Sequence, residues 1–382
     1  MPSLRDALEA ALVEDPDDLA THRAYADYLQ EQGDPRGEFI QVQLTLEDPE
    51  RTAEERRELE RRERELLAEH EREWLGGLAD ELLGPEGELG EEDHRHYEIR
   101  FARGWLDRIT LRYPPLLDRG GDVGKLLVKA TEMRLLRELV LEYDEGMVEQ
   151  FICSPFLGNV RVFQLGMRKN FFRGDLLLQP RMWSWAGSDS VAKLPRIEEL
   201  YLFMRTYDAV GLFALSNLQN LRVLQVDQMV TPYPLGVLAD NPALSNLTHL
   251  LLYPGVTQRP LIDLAGIRAV IQSPYLQSLT HLQLRRSDLG DVGCTEIVTS
   301  GILKRLKALD LRRGEITDAG ARILADCPDL QRLEHLDIDR NGLTQAGIDA
   351  LRRVLGDRLR ADYQQTAEEL AQRRYLYEGD WE

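Results

Sequence analysis

The stretch Leu333-Glu334-His335-Leu336-Asp337-Ile338-Asp339-Arg340-Asn341-Gly342-Leu343 decides the fold. Leu333, Leu336, Ile338 and Leu343 set a frame of apolar positions around a short alternating segment, closed by an asparagine and a glycine. Alternation of this kind puts Leu336 and Ile338 on one face of a strand. Asn341 then turns the chain, its amide able to satisfy backbone groups left free there. Thr344-Gln345-Ala346-Gly347 follows and opens a helical run to Leu355. The same frame begins at Leu306 and at Leu279, with Gly314 and Ser287 in the asparagine position. Weaker copies begin at Leu247, Leu221, Ile197, Val160, Leu136 and Leu106. A strand-turn-helix unit recurring about every 27 residues cannot bury its apolar face alone; stacked neighbours bury it together.

This pattern resembles the ribonuclease-inhibitor type of leucine-rich repeat over residues 105–356. The resemblance implies an α/β solenoid, a horseshoe with parallel strands on its concave side and helices outside. Only Asn341 keeps the usual asparagine. The unit beginning at Val160 is 37 residues long, and its excess holds Phe171-Phe172 and Trp183-Ser184-Trp185. Insertions in such arrays map to one face, often the binding face, so Trp183 and Trp185 join the expected partner contacts. Residues 357–382 read as a charged capping helix, Arg358 to Arg374, with an aromatic-acidic tail.

Ahead of the repeats the composition changes. The 382 residues carry a net charge of -19, and residues 1–96 hold 29 Asp and Glu against 11 Arg, so the remainder is nearly neutral. This acidic head repels phosphate backbones and argues against nucleic acid as its partner. Its helices are punctuated by Asp15-Pro16, Asp34-Pro35 and Asp48-Pro49, where Asp caps and Pro fits the first turn. Thr52-x-x-Glu55 reads as a capping box opening a helix over about 52–75. The run Gly33-Asp34-Pro35-Arg36-Gly37-Glu38-Phe39 resembles the signature of the repeat-companion domain, a bacterial module of planctomycetes and some myxobacteria that precedes repeat arrays. That resemblance implies a small all-α N-terminal domain, residues 1–80, and no enzymatic activity; Arg36 and Glu38 are read as structural. The Gly-rich acidic stretch within 81–104 reads as a linker, and His94-x-His96 lacks a third ligand for a metal.

Composition excludes several classes. A 43% hydrophobic, 30% charged chain buries a full core, and no apolar run approaches the roughly 20 residues of a membrane span. The N-terminus has no apolar leader segment, and Cys153, Cys294 and Cys327 fall at unrelated spacings, so the expectation is a cytoplasmic protein without disulfides, metal or cofactor. Ser190-x-x-Lys193 lacks the companion motifs of its nucleophile class.

Positions alternating with the inner leucines give the expected binding surface. Tyr201, Phe203, Leu251 and Tyr253 form an apolar-aromatic centre. Arg285, Arg286, Arg312, Arg313 and Arg340 edge it, beside Asp310, Asp337 and Asp339. His249, His281 and His335 share one repeat phase, too spread for one coordination sphere, and pH-sensitive binding is their lesser reading. The expected function is a noncatalytic protein-interaction scaffold whose arginines select an acidic partner segment. The alternatives are a self-masking module, with the acidic head docked on the arginines, and further back an RNA binder or an enzyme with an unrecognised site.

Overall fold

The computed structural model describes residues 3–83, 97–111, 130–142, 154–166, 184–185, 191–203, 206–228, 232–254, 262–366 and 368–369. The chain divides into two compact units, one of residues 1–167 with 193–196, the other of 168–192 with 197–382.

The first unit begins with α1 (Leu4–Glu14), α2 (Leu19–Glu31), α3 (Pro35–Leu46) and α4 (Ala53–Leu75). Ser3 with Asp6, and Thr52 with Glu55, form reciprocal capping boxes at α1 and α4. Asp34 caps α3 as expected, whereas α2 is capped by Asp18 rather than from Asp15-Pro16. After α5 (Ala79–Leu83) comes a hairpin, β1 (Tyr97–Ala102) antiparallel to β2 (Trp105–Leu111). Strands β3 (Glu138–Leu141) and β4 (Val162–Leu165) continue the sheet in parallel.

Here the structure corrects the domain boundaries. Residues 97–104, expected within a linker, are a strand and turn, and Phe101 of that strand is buried against the head's helices. Tyr25 stacks on Trp105 at 5.6 Å, and Phe39, Trp74 and Phe101 form an aromatic trio with centroids 4.5–6.3 Å apart. Gln43 ties both sides of the turn, donating to the Phe101 carbonyl at 3.1 Å and accepting from the Gly104 amide at 2.7 Å. Gly104 has φ +79°, and a Cβ there would sit 2.2 Å from Ile40. Helices and hairpin thus share one core.

The second unit holds a two-residue pair, β5 (Ser184–Trp185) with β7 (Thr206–Tyr207), and a parallel sheet. Its strands are β6 (Glu199–Phe203), β8 (Val223–Gln228), β9 (His249–Pro254), β10 (His281–Leu284), β11 (Ala308–Asp310), β12 (His335–Asp337) and β13 (Leu359–Arg360). Each pairs in parallel with the next. Between them run α6 (Ala209–Phe213), α7 (Leu235–Ala239), α8 (Leu264–Gln272), α9 (Gly290–Ser300), α10 (Asp318–Ala325) and α11 (Gln345–Leu355). Leu200, Leu224, Leu250, Leu282, Leu309 and Leu336 lie in register along this sheet, each at most 2% exposed. The expected capping helix does not begin at Arg358; within its span residues 368–369 are helical, behind a Thr366–Glu369 cap. The chain instead adds β13, because the Arg358 guanidinium caps the Gln331 and Leu333 carbonyls and leaves Leu359 to pair with Leu336. Residues beyond 369 lie outside the described residues.

Two side-chain ladders lock successive repeats. Asn341 donates to the Leu311 and Ile338 carbonyls and accepts from the Gly314 and Ile316 amides, so one buried amide serves two repeats. Asp291 accepts from Thr317 and from the Gly320 amide, and Asp318 accepts from Thr344, each carboxylate seated at the start of the next helix.

Candidate functional site

Strand alternation in the second unit leaves one residue between each pair of buried leucines, and register aligns these into rows. One row runs Glu199, Val223, His249, His281, Ala308, His335. The next runs Tyr201, Gln225, Leu251, Gln283, Asp310, Asp337. Asp227 and Tyr253 lie opposite each other in a third, together with Phe203.

Of the four expected apolar anchors, Tyr201, Leu251 and Tyr253 are half-buried and reach the surface, whereas Phe203 is 1% exposed. Phe203 is a core residue despite its outward phase, a correction to the expected surface. Tyr201 donates its hydroxyl to Glu199 at 2.7 Å. Trp183 lies outside the described residues; Trp185 lies in β5, whose partner is β7 and not a strand of those rows. Phe171, Phe172, His94, His96 and Ser190 also lie outside the described residues.

The arginines sit among aspartates. Arg285 donates to Asp310 at 2.7 Å, and its guanidinium lies 4.1 Å over the Tyr253 ring. Arg312 reaches Asp310 at 2.7 Å and Asp337 at 3.1 Å, and Arg360 reaches Asp339 at 2.7 Å. Burial pushes the Asp310 carboxyl up to about 7, against the pull of Arg285. Arg286 and Arg313 lie past the strand ends at φ +51° and +59°, in turns rather than in the rows. Of the arginines expected to edge the surface, Arg285 and Arg312 are thus held in internal ion pairs, and Arg340 lies 5.3 Å over the Tyr363 ring. Sequence phase placed the opposite charges near one another, but only the strand register shows who pairs with whom.

The histidines carry more information than their phase suggested. His249 and His281 stack with centroids 3.9 Å apart and planes 14° from parallel. The Thr248 hydroxyl lies 2.9 Å from the Arg222 carbonyl, which also accepts from the Thr248 and His249 amides, and 2.8 Å from His249 Nδ1. Thr280 repeats the arrangement, its hydroxyl 3.2 Å from the Thr248 carbonyl and 2.9 Å from His281 Nδ1. Burial holds both below the usual histidine range, with each ring's charged neighbours a smaller influence.

In the first unit, the Gly-Asp-Pro-Arg-Gly-Glu-Phe run is occupied internally. Arg36 donates to the Gly104 carbonyl at 2.8 Å and lies 4.7 Å over Trp105, and Glu38 pairs with Arg62 at 2.7 Å. A Cβ on Gly37 would come within 2.6 Å of the Ala26 carbonyl. Three of the head's acids pair with arginines from later in the same unit: Glu9 with Arg134, Asp17 with Arg161, and Glu47 with Arg103 at 2.7 Å.

Two stretches, residues 275–298 and 305–325, match the family model described as Leucine Rich repeat. They span β10 with α9 and β11 with α10, the repeats where the ladders are most regular. No curated protein matches the sequence. Among solved structures, the chain is similar to a Bacteroides fragilis protein determined by a structural genomics consortium. The identity is 17%, with 83% of this chain and 87% of that one covered and a TM-score of 0.50, a likeness of fold. Looser likenesses are to yeast Rad7 in complex with Elc1 (14% identity, 63% and 64% covered, TM-score 0.35) and to PEPR1 with AtPEP1 (16%, 60% and 30%, 0.30). The two matched stretches lie in the part of the chain built of parallel strands joined by helices. Among the described residues, no helix is long and apolar enough to cross a membrane.

Proposed function

We propose that the chain is a noncatalytic scaffold whose protein partner binds the outward rows of the second unit's sheet. The observation that carries this reading is the placement of Tyr201, Leu251 and Tyr253, three large half-buried side chains, on β6 and β9, the two strands that flank β8 in register. Aromatic anchors surrounded by satisfied polar groups are the composition of an interface centre. The head's carboxylates at Glu9, Asp17 and Glu47 already hold arginines of their own unit, which favours this reading over self-masking.

Affinity capture with the full chain tests it, comparing wild type with Tyr201→Ala/Tyr253→Ala and with Val210→Ser/Val292→Ser, two exposed helix positions. A protein retained by wild type and the valine variant, and lost by the tyrosine variant, is the expected result. The same proteins retained by all three would overturn the reading.

A further inference from the structure

Seven asparagines occur in the chain, and only Asn341 is followed by glycine. The others precede Val160, Phe171, Leu218, Leu221, Pro242 and Leu247. The difference is chemical. A glycine nitrogen, with no Cβ beside it, can swing onto the carbonyl carbon of the asparagine side chain before it. A bulky side chain hinders that approach, and proline has no N–H to use.

In the folded chain every group this reaction needs is engaged. Asn341 is 0% exposed. Its Nδ2 donates to the Leu311 carbonyl at 3.0 Å and the Ile338 carbonyl at 2.9 Å, and its Oδ1 accepts from the Gly314 amide at 2.9 Å and the Ile316 amide at 3.0 Å. The Gly342 N–H donates to the Ile316 carbonyl at 2.7 Å. The cover over the pair is thin by comparison. Strand β13 has two residues and, among the described residues, no further strand beyond it. After it the Gln365 amide donates to the Asn341 carbonyl at 2.6 Å, and Gln364 Nε2 donates to the Ile338 carbonyl at 3.0 Å. So short a strand, with few ladder bonds, opens at lower cost than the inner repeats.

We propose that Asn341–Gly342 is a self-modification site, silent while the last repeat is closed and used when it opens. The Gly342 nitrogen attacks Cγ of Asn341 and gives its proton to water, and Nδ2 takes up a proton and leaves as ammonia, closing a five-membered imide. Water then adds to one of the two imide carbonyls and breaks its C–N bond. Opening at Cγ leaves an aspartate in the original chain. Opening at the backbone carbonyl leaves an isoaspartyl link, with the chain rerouted through Cβ. Neither product fits the closed repeat. A carboxylate has no N–H for the Leu311 and Ile338 carbonyls, and it brings a charge into a site with no exposure. The isoaspartyl link also lengthens the backbone where the chain turns out of β12. A chain that has once opened is thereby marked, and the last repeat does not reclose.

The test holds the full chain at pH 8.5 in buffer and in urea and reads Asp and isoAsp at position 341 by peptide mapping, with Asn217 and Asn246 as internal references. Position 341 should convert in urea while the references stay intact, and the native chain should convert at least about tenfold more slowly, because only its open fraction reacts. Gly342→Ala should slow the conversion in urea, where its effect on folding does not matter. Leu359→Ser, which weakens the cover at β13, should speed conversion in buffer. If that variant unfolds as a whole, wild type in urea below its unfolding transition replaces it: conversion should rise together with amide exchange in α11 while α8 stays protected. Chains converted in urea and returned to buffer should regain protection in α8 and lack it in α11. Native conversion as fast as in urea, references that convert as fast as position 341, or conversion that does not follow the opening of α11 overturns the proposal. Full protection of α11 in the converted chain overturns the one-way mark.

Discussion

His22 shows how a single buried side chain sets a property of the fold. It is 2% exposed, Nε2 donates to the Pro16 carbonyl at 3.0 Å, and Nδ1 meets no hydrogen-bond partner. Burial, with Arg103 and Arg137 nearby, pushes its pKa below the usual histidine value. The unfolded chain therefore takes up this proton near pH 6.5 while the folded chain resists it. The contribution is intact above that pH and is lost as pH falls toward the folded value, by at most about 1.4 kcal/mol per pH unit for one proton. Urea midpoints at pH 7.5, 6.0 and 5.0 should fall less steeply for His22→Gln than for wild type; parallel lines would show that His22 plays no part. At this scale the sequence is partly legible. Alternation places Tyr201, Leu251 and Tyr253 in the outward phase, but cannot show that Phe203 is covered. Nor can it show that the Thr248 and Thr280 hydroxyls bridge an imidazole and a carbonyl, because those carbonyls lie a whole repeat away.

Among the elements, the helix starts of the last repeats explain why glycine follows Thr317-Asp318-Ala319 and Thr344-Gln345-Ala346. A Cβ on Gly320 would lie 2.5 Å from Asp291 Oδ1, and one on Gly347 would lie 2.3 Å from Asp318 Oδ1. The glycines let one repeat's carboxylate reach the next repeat's helix. Asp318 shows what this seat provides: burial raises its carboxyl, yet the bonds from Thr344 hold it below the ordinary value. Gly320→Ala is expected to destabilise by about 1–3 kcal/mol, the usual cost of overpacking. Amide exchange in α10 should quicken while α8 is unchanged; equal protection in α10 would refute the ladder's role. Every frame read from the sequence, from Leu106 to Leu333, carries a strand, since alternating leucines dictate one wherever a neighbour can pair. The strands that extend the sheets beyond those frames differ in kind. Tyr97–Ala102 does alternate, but beside an acidic Gly-rich run that reads as linker, and Leu359–Arg360 is too short and charged to show any period.

The two units place the head differently from its sequence, which reads as a separable acidic domain on a tether. Composition separates residues 1–96 from the rest because charge is a surface property, whereas a shared core is invisible to it. In the first unit, Tyr25, Phe39 and Trp74 of the helices are buried against Phe101 and Trp105 of the hairpin, and Arg36 and Gln43 tie down its turn. Each such side chain contributes about 1.5–3 kcal/mol on burial, against a typical domain stability of about 5–15 kcal/mol. Removing residues 1–83 strips the hairpin of all of these partners at once. It also leaves Arg103, Arg134 and Arg161 without Glu47, Glu9 and Asp17. The truncated chain should therefore lose amide protection in β2 and β3 and show a red-shifted, quenchable Trp105, while strands β10 to β12 of the second unit keep their protection. A truncated chain that keeps full protection in β2 and β3 would mean that the head is an independent domain after all. The Gly-Asp-Pro-Arg-Gly-Glu-Phe run would then need a role outside this core, since its buried contacts would no longer account for it.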